Sequence, residues 1–165
     1  MALTAQSALW FLPFVLPICL YVCFTDLAWM RITNRSVMAL ALVFVLLGPV
    51  AMPGWEEYLW RLVQLLVVLV LGAVLNASGA LGAGDAKFAA AAAAYVAPGD
   101  LRLLLALFAA ALLAAFVTHR IAKHSPLRAL APHWESWEQG KKFPMGLALG
   151  ATLAAYLALG TAYGA

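Results

Sequence analysis

The sequence predicts an all-α integral membrane protein with about six transmembrane helices, and three observations lead to this fold class. The chain has 165 residues, of which 66% are hydrophobic and only 10% are charged. A soluble domain usually has about 25% charged residues. The apolar residues also fall in long runs between short polar connectors, as expected for helices that cross a bilayer. We therefore expect a single polytopic membrane domain over residues 1–165.

Six apolar runs are interpreted as transmembrane spans. In chain order they are Ala8 to Phe24, Val37 to Met52, Leu59 to Ala77, Ala86 to Ala97, Leu101 to Thr118 and Pro144 to Tyr163. The first contains Pro13 and Pro17, which membrane helices tolerate because neighbouring groups satisfy the freed backbone. It lacks a preceding basic region and a clear cleavage site, so we expect a retained span rather than a signal peptide.

The distribution of lysine and arginine predicts the orientation of these spans. The first, third and fifth connectors hold eight of the ten basic residues, which are Arg31, Arg35, Lys87, Arg120, Lys123, Arg128, Lys141 and Lys142. The positive-inside rule therefore puts these connectors in the cytoplasm and both termini outside. Because the basic residues lie in short loops between apolar spans, the net charge of +3 does not indicate a nucleic-acid partner.

Two carboxylates are the candidate catalytic residues. Asp26 opens a polar connector, Asp26 to Ser36, and Asp85 closes a glycine-rich break that also contains Gly82 and Gly84. The glycines are expected to let the backbone leave a regular helix. An ionisable side chain beside the hydrocarbon core costs roughly 2.5–3.5 kcal/mol or more, which makes it a functional-site hypothesis. Alternation of the spans puts both carboxylates on the same, cytoplasmic, face.

A pair of facing carboxylates is suited to general acid–base chemistry, because one member is kept protonated while the other is ionised. The ionised member activates a water molecule and the other protonates a carbonyl oxygen, which is the chemistry of peptide hydrolysis. Helix polarity favours Asp85 as the base and Asp26 as the acid. The chemistry needs no metal or cofactor, and no zinc-ligand spacing is present.

Simpler roles remain open for several of these residues. Asp26 is also a plausible boundary residue, Asp85 a helix N-cap, and Lys87 a positive-inside anchor. In the long fifth connector, Trp134 and Trp137 with the two lysines at 141 and 142 indicate either a segment in the membrane interface or an ordinary loop.

Three segments carry a pattern of motifs. The first is Asp26 followed by Arg31, Ile32, Thr33 and Asn34, the second is Gly82-Ala83-Gly84-Asp85-Ala86-Lys87-Phe88, and the third is Phe143-Pro144-Met145-Gly146. In this order they resemble the Asp…Ile-Pro-Asn, Gly-x-Gly-Asp-x-Lys-Leu and Pro-Tyr-Gly motifs of type IV prepilin peptidases, which are intramembrane aspartyl proteases. Thr33, Phe88 and Met145 depart from the usual Pro, Leu and Tyr.

The resemblance implies a GxGD-protease-like bundle that cleaves the short basic leader from prepilins, just before their apolar N-terminal helix. It implies Asp26 and Asp85 as catalytic residues, supported by Gly82, Gly84, Lys87, Asn34, Arg31, Pro144 and Gly146. The implied location is the bacterial inner membrane, with the active site facing the cytoplasm. The implied partners are prepilins, the lipid bilayer and the pilus assembly machinery, with no nucleic acid.

Larger members of that family carry an insertion with paired Cys-x-x-Cys motifs and methylate the new N-terminus. This chain has no such motifs, so it resembles the minimal members that serve Flp pili, and methyltransferase activity is not expected. Two other classes stay open. A small proton-coupled transporter predicts an internal repeat and acids near the middle of the membrane. A non-catalytic membrane assembly subunit predicts that both aspartates can be replaced without loss.

Overall fold

The computed structural model describes residues 1–139 and 143–165, and the described residues form six main helices and no strand. The helices are α1 Ala5–Trp29, α2 Asn34–Ala51, α3 Trp55–Ala77, α4 Ala83–Ala93, α5 Leu101–Lys123 and α6 Met145–Tyr163. The predicted all-α fold class is confirmed. Lys141 and Lys142, used above for the orientation and for the fifth connector, lie outside the described residues.

Five of the six helices are long and apolar enough to cross a membrane, and α4 is the exception. α4 has 11 residues, or about 17 Å at 1.5 Å per residue, whereas the hydrocarbon core is about 30 Å thick. The predicted fourth span, Ala86 to Ala97, is therefore helical over only part of its length. Helix ends elsewhere differ from the predicted bounds because caps set them. Thr33, for example, accepts from the Ser36 N–H and starts α2 before the apolar run begins.

The non-helical segment 94–97 follows α4 and is buried within the bundle. Every residue in it is at most 3% exposed, and buried irregular backbone needs hydrogen-bond partners within the protein. Gln64 of α3 supplies one of them, since its Nε2 donates to the carbonyl oxygen of Val96 (3.2 Å), and it also donates to that of Ala93 at the end of α4 (2.9 Å). The last N–H of the segment donates to the Tyr156 hydroxyl at 3.0 Å. Side chains of α3 and α6 thus supply hydrogen bonds that the backbone of this segment does not make within a helix.

Glycines of α6 let this helix approach α1 closely. A Cβ atom on Gly150 would lie 2.8 Å from Cys23 Sγ and 3.0 Å from the Cys19 carbonyl oxygen, and one on Gly160 would lie 2.9 Å from Ala8 Cβ. Small residues allow such close backbone approach in membranes, where packing rather than water expulsion drives helix association. The α1–α6 pair is therefore the tightly packed centre of the bundle.

The connectors meet at two opposite ends of the bundle, as the alternation of spans predicts. At one end, Lys87 at the start of α4 donates to Asn34 Oδ1 at the start of α2 (3.1 Å). At the other end, the backbone N–H groups of Ala2 and Leu3 donate to the Asp100 carboxylate at 2.7 and 3.0 Å. The first and third connectors thus share one end, and the fourth lies with the N-terminal residues.

Candidate active site

Asp26 lies in the last turn of α1 and is 5% exposed. The helix ends at the next turn because Met30 adopts a left-handed conformation (φ 49°) and donates its N–H to the Asp26 carbonyl oxygen at 2.9 Å. The connector that follows is therefore shorter than the predicted Asp26 to Ser36, because α2 already begins at Asn34. A short, capped turn after α1 fixes the depth of the carboxyl group.

The start of α6 holds the Asp26 side chain in place. Gly146 is the second residue of α6, and its backbone N–H donates to Asp26 Oδ2 at 2.6 Å. The first N–H groups of a helix have no partner within it, so they are free for such a contact. A Cβ atom at position 146 would lie 2.9 Å from that same oxygen, so only glycine permits the approach. Pro144 is the N-cap of α6 and is itself buried.

Asp85 lies in the first turn of α4. It is not the N-cap, because that position belongs to Gly82, and no side chain caps the helix. A Cβ atom on Gly82 would lie 2.5 Å from Asp85 Oδ2, and one on Gly84 would lie 3.1 Å from Ile32 Cβ. These two glycines therefore provide space for neighbouring groups. Gly82 is in an extended conformation outside the helix, as expected for a glycine at the break, whereas Gly84 lies within α4. The left-handed glycine of this loop is Gly79, at φ 76°.

Both aspartates line one cleft of about 590 Å³ at the end of the bundle. The other lining residues are Met30, Arg31, Ile32, Asn34, Gly82, Ala83, Gly84, Lys87, Phe143 and Met145. Of the candidate site residues, only Pro144 and Gly146 do not line it, and Gly146 contacts Asp26 directly. Sequence reasoning did not select Met30 or Phe143 as site residues. Met30 has no local signal for such a role, whereas Phe143 belongs to the third motif segment and could have been selected from it.

The cleft brings two carboxyl groups and two cations together. Lys87 is oriented by its hydrogen bond to Asn34, which joins the starts of α4 and α2. Burial raises the pKa of the Asp85 carboxyl above its usual value, because loss of water disfavours the charged form. Both aspartates lie beside helix N-termini, Asp85 in α4 and Asp26 against α6. The end of α1 alone favoured Asp26 as the acid, but the start of α6 beside it favours its charged form. Helix polarity therefore does not decide which aspartate is the base and which is the acid.

The described part of the fifth connector folds back onto the bundle. Trp137 is 4% exposed and stacks on His119 and Trp134, with ring centroids 5.0 and 5.6 Å apart. Trp134 in turn meets Phe24 of α1 edge to face at 6.2 Å. Trp137 is thus buried against protein rather than lying free in the membrane interface. This packing places the connector beside α1, and Phe143 at its end lines the cleft.

The structure is thus a bundle of apolar helices with two carboxyl groups in one terminal cleft. Comparison with family models gives a match to the type IV leader peptidase family over residues 13–119. The match covers more than half of the chain, and the chain therefore belongs to this family. Membership identifies it as a membrane peptidase, and it implies prepilin substrates.

The matched range includes Asp26 and Asp85 and ends before Pro144 and Gly146. No curated protein and no solved structure matches the chain significantly.

Proposed function

We propose that the chain is an aspartyl endopeptidase that removes the short basic leader from Flp-type prepilins, with Asp26 and Asp85 as its catalytic pair. Cleavage takes place at the cytoplasmic face of the bacterial inner membrane. The observation that carries this proposal is the single cleft lined by both carboxyl groups, which come from two different helices, α1 and α4, within the matched family region.

The chemistry proposed for the pair is hydrolysis by general acid and base. The ionised carboxylate takes a proton from water, and the oxygen of that water attacks the carbonyl carbon of the scissile bond. The protonated carboxyl donates its proton to the carbonyl oxygen, which gives a tetrahedral diol. The newly protonated carboxyl then donates its proton to the leaving nitrogen while the other carboxylate takes a proton from a diol hydroxyl, which breaks the C–N bond and restores one protonated and one ionised carboxyl group. Because two close acids titrate as one unit, the two roles belong to a microstate of the pair.

The depth of the cleft suits a prepilin substrate. A prepilin has an apolar helix that lies in the bilayer and a cationic leader outside it, so its scissile bond lies at the membrane surface. Asp26 and Asp85 lie at helix ends, where such a bond would arrive. The position of both aspartates at helix ends disfavours a transporter, because the acidic residues of transporters are expected near the middle of the membrane.

Co-expression with a tagged Flp-type prepilin tests the proposal. The wild-type chain is expected to produce a leader-sized shift of the prepilin on a gel, and Asp26→Asn or Asp85→Asn is expected to abolish it. Glu56→Gln is the matched control, because Glu56 is an exposed carboxylate in the first turn of α3. All variants are compared at equal amounts in the membrane fraction. Retained cleavage in both aspartate variants would contradict the catalytic pair, and no cleavage by the wild-type chain would favour a non-catalytic assembly subunit.

A further inference from the structure

A lateral groove lies between α3 and α5, with α4 as its floor and α6 behind it. Its volume is about 350 Å³, and its lining is apolar apart from Gln64 and Thr152. The groove exists because α3 packs mainly on α4 and α5 mainly on α6, so α3 and α5 do not close over α4. The amide of Gln64 is already used by the backbone of segment 94–97. The groove therefore offers an apolar surface at membrane depth.

The floor of this groove is continuous with the position of Asp85. Ala89, Ala92 and Ala93 line the groove, and they follow Asp85 by four, seven and eight residues, a spacing that puts them on one helix face. They are partly exposed, whereas Ala90 on the opposite side is 2% exposed. One face of α4 therefore carries the carboxyl group in the cleft and the alanine floor below it.

The shape of the groove favours a helix as its occupant. Alanines on the floor let a second backbone approach closely, which matters for helix packing. From Asp85 to Ala93 this face of α4 spans about 12 Å at 1.5 Å per residue, somewhat less than half of a hydrocarbon core of about 30 Å. An occupant that continues from the groove into the cleft must be a polypeptide that leaves the bilayer at that end, and only a peptide presents a bond to the two carboxyl groups.

We propose that this groove holds the apolar N-terminal helix of the substrate, so that the peptide bond preceding that helix reaches Asp26 and Asp85. The inference rests on the proposed function and deepens it. On this proposal α3, α4 and α5 bind the apolar helix of the substrate, and peptide-bond hydrolysis takes place in the cleft.

Filling the groove tests this assignment. Ala92→Leu narrows the floor, and Ala110→Leu is the matched control, because Ala110 is an exposed residue of α5 that does not line the groove. Two substrates are compared: a full prepilin, and a soluble peptide that contains the leader and cleavage site without the apolar helix. We expect Ala92→Leu to lower kcat/KM for the prepilin about tenfold, mainly through KM, as overpacking of a close contact would. Cleavage of the peptide should be unchanged, and Ala110→Leu should affect neither substrate.

Photocrosslinking gives a readout that does not depend on turnover. Benzoylphenylalanine is placed at position 92 or 110 in the Asp85→Asn variant, and the tagged prepilin is added. An adduct with the prepilin from position 92 but not from 110 supports the groove. Adducts with lipid alone at position 92, or unchanged prepilin cleavage by Ala92→Leu, overturn it while the proposed function stands. If the wild-type chain cleaves no prepilin, the proposed function fails, and the crosslinks decide separately whether the groove binds the helix.

Discussion

Gly82 and Gly146 perform the same task for the two carboxyl groups, since each leaves room for an aspartate oxygen. A side chain at either position would lie within 3 Å of Oδ2 of its aspartate, which real Cβ atoms do not tolerate. The contact at Gly146 also carries a hydrogen bond, so this residue sets both the space and the direction of the Asp26 side chain. The geometry of the cleft therefore depends on two residues that have no functional group of their own.

We expect Gly146→Ala to reduce prepilin cleavage strongly while the protein still folds. The added methyl group pushes the Asp26 carboxyl away from the Gly146 N–H, and displacement of a reacting group by about 1 Å can cost on the order of a hundredfold in rate. The measurement is kcat/KM with a purified prepilin. Gly54→Ala is the control, because nothing lies within 4 Å of a Cβ atom there. Equal activity of the two variants would contradict a positioning role for Gly146.

The raised pKa of the Asp85 carboxyl predicts the acid side of the pH–rate profile. A group with a raised pKa loses its charge at a higher pH as the solution is acidified. If Asp85 is the base, cleavage should begin to decline on acidification at a pH above the usual carboxyl pKa of about 3.9. Rates measured for the wild-type chain across acidic and neutral pH check this. A rate that stays constant down to about pH 4 would exclude Asp85 as a base in this environment.

At this scale, the sequence predicts the aspartates but not their supports. Asp26 lies near the end of a span that hydropathy reveals, and Asp85 directly precedes the alanine-rich run. The bond from Gly146 to Asp26 joins residues 120 positions apart, so no local pattern encodes it. The resemblance selected Gly146 as a motif residue, and only the packing of α6 on α1 explains why it must be glycine.

Among the elements, α4 departs most from its predicted form. The alanine run predicts a continuous helix over Ala86 to Ala97, because alanine is the best helix former. The helix nevertheless ends at Ala93, and Tyr95 turns inward to donate its hydroxyl hydrogen to the Leu40 carbonyl oxygen at 2.6 Å. Tertiary partners from α2, α3 and α6 override the local propensity. Those partners lie far away in sequence, which is why the end of α4 could not be predicted.

The role of Gln64 in supporting this bend can be tested by substitution. Gln64→Leu keeps the size of the side chain but leaves the carbonyl groups of Ala93 and Val96 without their donor. An unsatisfied buried polar group costs about 1–3 kcal/mol, so the thermal unfolding midpoint in detergent should fall. Gln6→Leu is the matched control on an exposed position of α1. A midpoint shift no larger than that of the control would show that the bend does not need this donor.

For the whole molecule, the two ends of the bundle give the proposed orientation a clear test. In a background with Cys19 and Cys23 replaced by alanine, Ala80→Cys and Gly54→Cys place exposed thiols at opposite ends. A membrane-impermeant maleimide should label Ala80→Cys only in inside-out vesicles and Gly54→Cys only in spheroplasts, because the basic connectors face the cytoplasm. The reverse pattern would place the cleft on the outer face and contradict cytoplasmic cleavage.

The number of helices and the pairing of their ends were predictable for the whole molecule, because hydropathy and alternation determine both. Which helices pack against each other was not predictable, because lipid-facing and helix-facing surfaces are both apolar and small residues determine which helices can approach closely. Gly150 and Gly160 show this, because their contacts with α1 become apparent only when the two helices are placed together.

The main-chain contact to Asp26 also matters for inhibitor design. Its donor is a peptide N–H of α6, and every residue except proline supplies that group. A compound that binds this N–H would therefore use a backbone donor, which side-chain substitutions do not remove. Escape through proline would remove the donor, and escape through a bulkier residue would fill the space that the aspartate needs, so the enzyme would lose its own activity along with its sensitivity.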